Sequence, residues 1–235
     1  MKLIIQQDIY AMDPLIEWDN PFRFISNHRR YYTDMQSVSR SDGSIIWDSE
    51  GNDYGVHDVP AMVRFFNKNK YVVIPVRGHE HGGLSISTYN DYPFNDQWDS
   101  GVFGWLYASP EDIRQNFNTK RVSLKMRKLT EKMMRSFVKV WNSYFTGQSF
   151  GFTIEDEDGE VEDSCRGFYE SIEESGIQEH LSTEAYDALL NNERKETYSE
   201  NGWNFYVKYQ SQKEKNEKAA LAEAPIGEYY AKPTT

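Results

Sequence analysis

Apolar residues recur at steps of three and four through one long stretch of the chain. Val122, Met126, Leu129, Met133, Phe137, Val140 and Tyr144 line one face of a helix, and no Gly or Pro interrupts residues 119–145. The spacing predicts a long amphipathic helix over about 119–146, capped by Asn118 or Thr119 and stopped at Gly147. A second stripe accompanies the first: Arg121, Lys125, Lys128, Lys132, Arg135 and Lys139 also step by three and four. Elsewhere the period is two, or the apolar run is continuous. Lys2–Gln6, Ser44–Trp47, the run Tyr71–Val76, Leu84–Tyr89, Val102–Tyr107 and Trp203–Tyr209 read as strands. Pro75 places its strand at an edge or beside a bulge. Phe150, Phe152 and Ile154 alternate toward Asp158-Gly159, and the chain returns through Glu160–Phe168, which is a hairpin signature. Ser109-Pro110-Glu111-Asp112 starts a short helix, Pro60–Asn67 reads as another, and Ser182–Asn191 as a third. Arg40–Ser44 and Ser49–Gly55 read as turns. Helices and strands mix without regular alternation, so the class is α+β: a mixed or antiparallel sheet packed on the long helix. The expected organisation is a single domain over residues 1–209 and a mobile tail over 210–235.

Composition sharpens the picture. The 235 residues include 6 Trp, 16 Tyr and 13 Phe, enough large side chains for a core. No apolar run approaches the ~18–20 residues of a membrane helix, and one cysteine excludes an internal disulfide framework. The expectation is a cytoplasmic protein without a membrane partner.

Charge is unevenly placed. The formal net charge is −11. Residues 114–139 carry 9 basic and 1 acidic side chains, whereas residues 153–200 carry 3 basic and 16 acidic. A basic helix face can track phosphates. The overall negative charge repels a polyanion at long range, so direct nucleic-acid binding is not expected. The stripe then faces solvent or the chain's own acidic segment.

Several residues bear chemistry. His79-Glu80-His81 puts two imidazoles on one side of an extended chain, a spacing that suits Zn²⁺ or Fe²⁺, with His57, Asp99 or Asp163 as a third ligand. A turn in which the histidines only hydrogen-bond explains the same residues. Trp98-Asp99-Ser100-Gly101 lacks the Gly-x-Ser-x-Gly elbow and reads as a turn with Gly101 at positive φ. Asp156-Glu157-Asp158-Gly159 places its glycine too early for a calcium loop. Cys165 reads as buried and structural, and Trp98, Phe103, Trp105, Phe150, Phe152 and Phe168 as packing. No phosphate-binding loop or dinucleotide fingerprint is present, and no cofactor is called for.

Four segments carry a resemblance: His81–Ser87, Trp98–Tyr107, Tyr144–Phe152 and Asp163–Tyr169. In order and spacing they resemble an uncharacterised family of bacteriophage and mobile-element proteins, over roughly residues 70–170. That family usually has His-Ser-Gly at His81-Gly82-Gly83 and Trp at Arg166. The resemblance implies a phage accessory gene, a class that often antagonises host defence as an anti-CRISPR or anti-restriction protein. On that footing the acidic run Glu155, Asp156, Glu157, Asp158, Glu160, Glu162 and Asp163 is the expected binding surface. Its partner would be a host protein, of the nucleic-acid-binding defence kind, met in the host cytoplasm. The alternative is a metal-dependent hydrolase or nucleotide-degrading enzyme with His79, His81 and Asp99 as ligands.

Overall fold

A computed structural model of the chain describes residues 1–26, 28, 37–39, 45–48, 59–89, 92–192, 196–199 and 202–223. The turns expected at Arg40–Ser44 and Ser49–Gly55, and the candidate ligand His57, lie outside them. In chain order the elements are β1 (Lys2–Gln7), α1 (Pro14–Glu17), β2 (Arg23–Ile25), β3 (Ser37–Ser39), β4 (Ile45–Asp48), α2 (Val59–Lys68), β5 (Val72–Glu80), β6 (Leu84–Ser87) and β7 (Ser100–Ala108). Then follow α3 (Pro110–Asn116), α4 (Leu124–Phe145), β8 (Ser149–Glu155), β9 (Val161–Tyr169), a 3-10 turn at Ile177–Glu179, α5 (Thr183–Asn191), β10 (Thr197–Ser199), β11 (Gly202–Lys208) and α6 (Gln212–Glu223). The class is α+β, and the strand pairs are antiparallel.

The chain forms two compact units. Unit 1 comprises Met1–Ile9, Phe150–Phe168 and Ile172–Thr235; unit 2 comprises Tyr10–Ser149 and Tyr169–Ser171. Unit 1 is built on a five-stranded sheet of order β10-β11-β1-β8-β9. Strand β1 is its centre, and Leu3 and Ile5, fully buried, alternate along it with the partly exposed Lys2, Ile4 and Gln6. Each such buried side chain stabilises the unit by about 1.5–3 kcal/mol. Leu3 lies opposite Val207 on β11 and Ile154 on β8, and Ile5 opposite Phe205 and Phe152. Phe150, Phe168, Ile177, Ala185 and Leu189 complete this core. Helix α5 begins where Ser182 accepts a bond from the Ala185 amide. Part of the segment expected to be a tail is helix α6, and residues 224–235 lie outside the described set.

Unit 2 holds a four-stranded sheet of order β2-β7-β5-β6 and the two-stranded β3-β4. Strand β5 is interior, and Pro75 sits beside a register shift at Val76/Arg77 in its pairing with β7. The missing proline N–H is tolerated next to that bulge. Helix α3 starts as expected, with Ser109 and Asp112 exchanging cap bonds of 2.8 and 3.1 Å.

Helix α4 differs from the sequence reading in two respects. It begins after Ser123, whose hydroxyl accepts from the Met126 amide at 3.2 Å, and not at Asn118 or Thr119. Asn118 has φ 46° and follows α3, so the chain turns there before α4 can start. Its buried face is Thr130, Met134, Phe137, Val138 and Trp141, while Leu129 is exposed. At ~100° per residue that face is turned by roughly 85° from the stripe read in the sequence. Trp141 decides the rotation: it packs on Phe24, Phe103, Phe137 and Phe145, and its Nε1 donates to Asp13 at 3.1 Å.

Candidate functional site

The acidic run of unit 1 is the hairpin formed by β8 and β9. Its tip is shaped by Asp156, whose Oδ1 accepts from the amides of Asp158 and Glu160, both at 2.9 Å, while Gly159 takes φ 86°. A side chain at Gly159 would be strained there. Strand β9 is an edge of its sheet, and from Val161 to Ser164 both of its faces are exposed. Glu157, Asp158, Glu160, Glu162 and Asp163 are exposed and make no ion pair among the described residues. Glu155 alone of the seven is paired, with Lys2 Nζ at 3.0 Å. Beside the tip lies a groove of about 560 Å³, lined by Glu155, Asp156, Glu157, Lys208, Tyr209 and Lys218 among others. Burial, and then the charges of Glu162, Glu214, Glu184 and Asp163, push the Tyr209 phenol above its ordinary range.

The histidines lie in unit 2. His79 is inside β5, and His81 follows its end. Their rings are stacked, 21° from parallel, with centres 6.2 Å apart, as the His-x-His spacing implies. Asp99 is brought to His81, whose Nδ1 lies 2.8 Å from Asp99 Oδ2. The Ser100 hydroxyl is 2.5 Å from the Pro93 carbonyl and 3.1 Å from His79 Nδ1. A carbonyl only accepts, so Ser100 donates to Pro93 and accepts from His79 Nδ1–H. A carboxylate also accepts, so neutral His81 carries its proton on Nδ1 as well. In the neutral form of each ring, Nε2 is then the lone pair.

That arrangement is a pair of oriented bases, and the distance between the rings limits what they share. A ring nitrogen lies about 1.2 Å from its centre, so two nitrogens here are at least about 3.8 Å apart, whereas two Zn–N bonds of ~2.0–2.1 Å at a tetrahedral ion need about 3.4 Å. Asp99 is engaged with His81 Nδ1. Among the described residues no three His, Cys, Asp or Glu side chains are grouped to hold a metal. Asp163, the other candidate ligand, belongs to unit 1.

Other sequence readings change here. Ser100 and Gly101 open strand β7, and Gly101 pairs with Gly78 without a positive φ. Trp98 precedes that strand and is 87% exposed, so it is not packing. Cys165 is partly buried at the margin of the unit 1 core. Phe103, Trp105, Phe150, Phe152 and Phe168 are buried, divided among three clusters.

Sequence reasoning missed the distribution of charge between the units. Unit 2 contains 17 of the 26 basic and 17 of the 37 acidic side chains and is neutral; unit 1 holds the other 9 and 20 and carries the whole −11. No family model matches the chain, and neither a curated protein nor a solved structure matches it. No helix among the described residues is long and apolar enough to cross a membrane.

Proposed function

We propose that this chain is a phage-encoded accessory protein that inhibits a host defence system by binding, without catalysis. The docking surface is the acidic β8–β9 hairpin, and the partner is a host protein whose basic surface normally holds nucleic acid. The observation that carries this reading is the hairpin itself. Five carboxylates stand exposed and without ion pairs among the described residues, on a hydrogen-bonded turn and the edge strand that follows it. At 0.15 M salt charges interact over about 8 Å, so neighbouring carboxylates at the tip add their fields. Such a surface speeds encounter with a basic partner and competes with phosphates for it.

The test is capture of host proteins by the tagged chain at low and high salt, against Glu157→Lys/Glu160→Lys/Glu162→Lys. These positions leave the Asp156 turn bonds and the Glu155–Lys2 pair intact. The expected result is one dominant nucleic-acid-binding partner, released by salt and absent from the variant. A partner held equally by the variant refutes docking through the hairpin.

The second reading, a metal-dependent hydrolase or nucleotide-degrading enzyme, is favoured by one observation: Asp99 holds His81 through Nδ1 beside His79, as a carboxylate does when it orients a metal-ligating imidazole, a role for Asp99 behind the ligand and not as one. Elemental analysis decides it: stoichiometric Zn, Mn or Fe lost in His81→Ala would support it, and no bound metal would remove it.

A further inference from the structure

Four lysines of α4, Lys125, Lys128, Lys132 and Lys139, are exposed and form no ion pair among the described residues. At ~100° per residue they fall within an arc of about 60°, opposite Thr130, Met134, Phe137, Val138 and Trp141; the buried Ser143 shares their side of the helix but lies in its last turn, beyond Lys139. Arg135 continues the stripe but is held by Glu131 at 2.8 Å and lies over the Tyr89 ring. Glu131 is the only acidic residue of the helix. From Lys125 to Lys139 the row runs about 21 Å along the axis, the length of roughly six base pairs at 3.4 Å each.

We propose that this face of α4 binds the phosphate backbone of duplex DNA without regard to sequence. The negative net charge of the chain argues against a polyanion only if it surrounds the helix. It belongs to unit 1; unit 2, which carries α4, is neutral, and four of its 17 basic side chains are these lysines. Screening over about 8 Å at physiological salt gives most weight to the charges close to the row. Duplex is favoured over single strands for two reasons. Its axial charge is the denser, one per ~1.7 Å. A single-strand surface also needs aromatic faces for successive bases, and the one ring shown against this stripe, the half-exposed Tyr89, has Arg135 6.0 Å from its centre. The inference stands on unit 2 and does not depend on the function proposed for the hairpin.

The experiment is fluorescence anisotropy of a labelled 20-base-pair duplex with the full chain, from 25 to 200 mM salt. Four phosphate contacts give a slope of log K against log salt of about −3.6, or roughly 150-fold weaker binding at 200 mM than at 50 mM. Lys125→Gln/Lys128→Gln/Lys132→Gln keeps good helix formers at exposed positions and should reduce the slope to about −1. The hairpin variant Glu157→Lys/Glu160→Lys/Glu162→Lys separates the two proposals, because loss of host-protein capture with an unchanged α4-dependent slope leaves this one intact. No binding at 25 mM salt, or equal binding by the folded lysine variant, overturns the assignment. Tighter binding to a single strand of the same length overturns the choice of duplex.

Discussion

Replacing Trp141 by Phe removes one hydrogen-bond donor and part of one ring from the centre of unit 2. Trp141 is 1% exposed, and its Nε1 donates to Asp13 Oδ1 at 3.1 Å. Asp13 also accepts from the Leu15 amide at 2.9 Å and caps α1. Burial raises the Asp13 carboxyl above its ordinary value, while the bonds from Leu15 and Trp141 hold it down. A bond to a charged acceptor contributes about 1.5–3 kcal/mol, and the lost ring volume adds about 1 kcal/mol by analogy with smaller core truncations. The expected cost at pH 7 is therefore about 3 kcal/mol, or roughly 6–12 °C in Tm for a chain of this size. The pH dependence has a definite sign. Folded Asp13 binds its proton more tightly than unfolded Asp13, so stability falls as pH rises from 3.8 through the raised value. Without the indole the folded value rises further, and the deficit grows toward neutral pH. Urea unfolding followed by far-ultraviolet circular dichroism at pH 4 and pH 7 measures both. In an Asp13→Asn background, where no charge remains, the cost of Trp141→Phe should be independent of pH. A loss below about 1 kcal/mol at pH 7, or an equal loss at both pH values with Asp13 present, would refute the reasoning.

Five further substitutions, one alone and four in two pairs, test the fold where it departs from local pattern. At Gly104 an added Cβ would press on the Ile25 carbonyl oxygen and on Phe24, whose Cε2 would be at 2.8 Å; Gly104→Ala should cost about 3 kcal/mol or prevent folding, read by urea midpoint. Ser123→Ala should lose about 1 kcal/mol of stability while Thr119→Ala changes it by no more than about 0.5 kcal/mol, and the reverse order would move the helix start back to 119. Trp98→Ala should leave Tm unchanged within about 2 °C, whereas Phe103→Ala should cost about 3–5 kcal/mol, because Trp98 lies outside the core and Phe103 within it.

Local features were legible in the sequence and long-range ones were not. The β8–β9 hairpin was readable because its signals are contiguous: alternating Phe150, Phe152 and Ile154, then Asp158-Gly159. The cap of α3 was readable for the same reason. The start of α4 was misplaced because Asn118 and Thr119 are also good caps, and only the positive φ of Asn118 shows that the chain is still turning there. Trp98 was misassigned because its neighbours belong to a buried strand, which begins two residues later. The two units were invisible because β1 pairs with β8 and β11, near opposite ends of the chain, and no local period records such a pairing. Another long-range pairing explains why the histidine site was half legible. Period two places His79 and His81 together, but the pairing of β5 with β7 decides that Asp99 meets Nδ1 rather than standing free as a ligand.

The division of charge has the largest consequence for function. Summed over the chain, 37 acidic against 26 basic side chains describe one polyanion, and a polyanion has one obvious kind of partner. Divided between the units, the same residues describe a neutral body with a cationic ridge and a second body that holds all the excess negative charge. The ridge and the hairpin belong to different units, so each can be altered by substitutions within its own unit. That independence is why the lysine and hairpin variants must be measured against both ligands: a single partner bound through both surfaces would weaken in both variants, and two partners would each weaken in one.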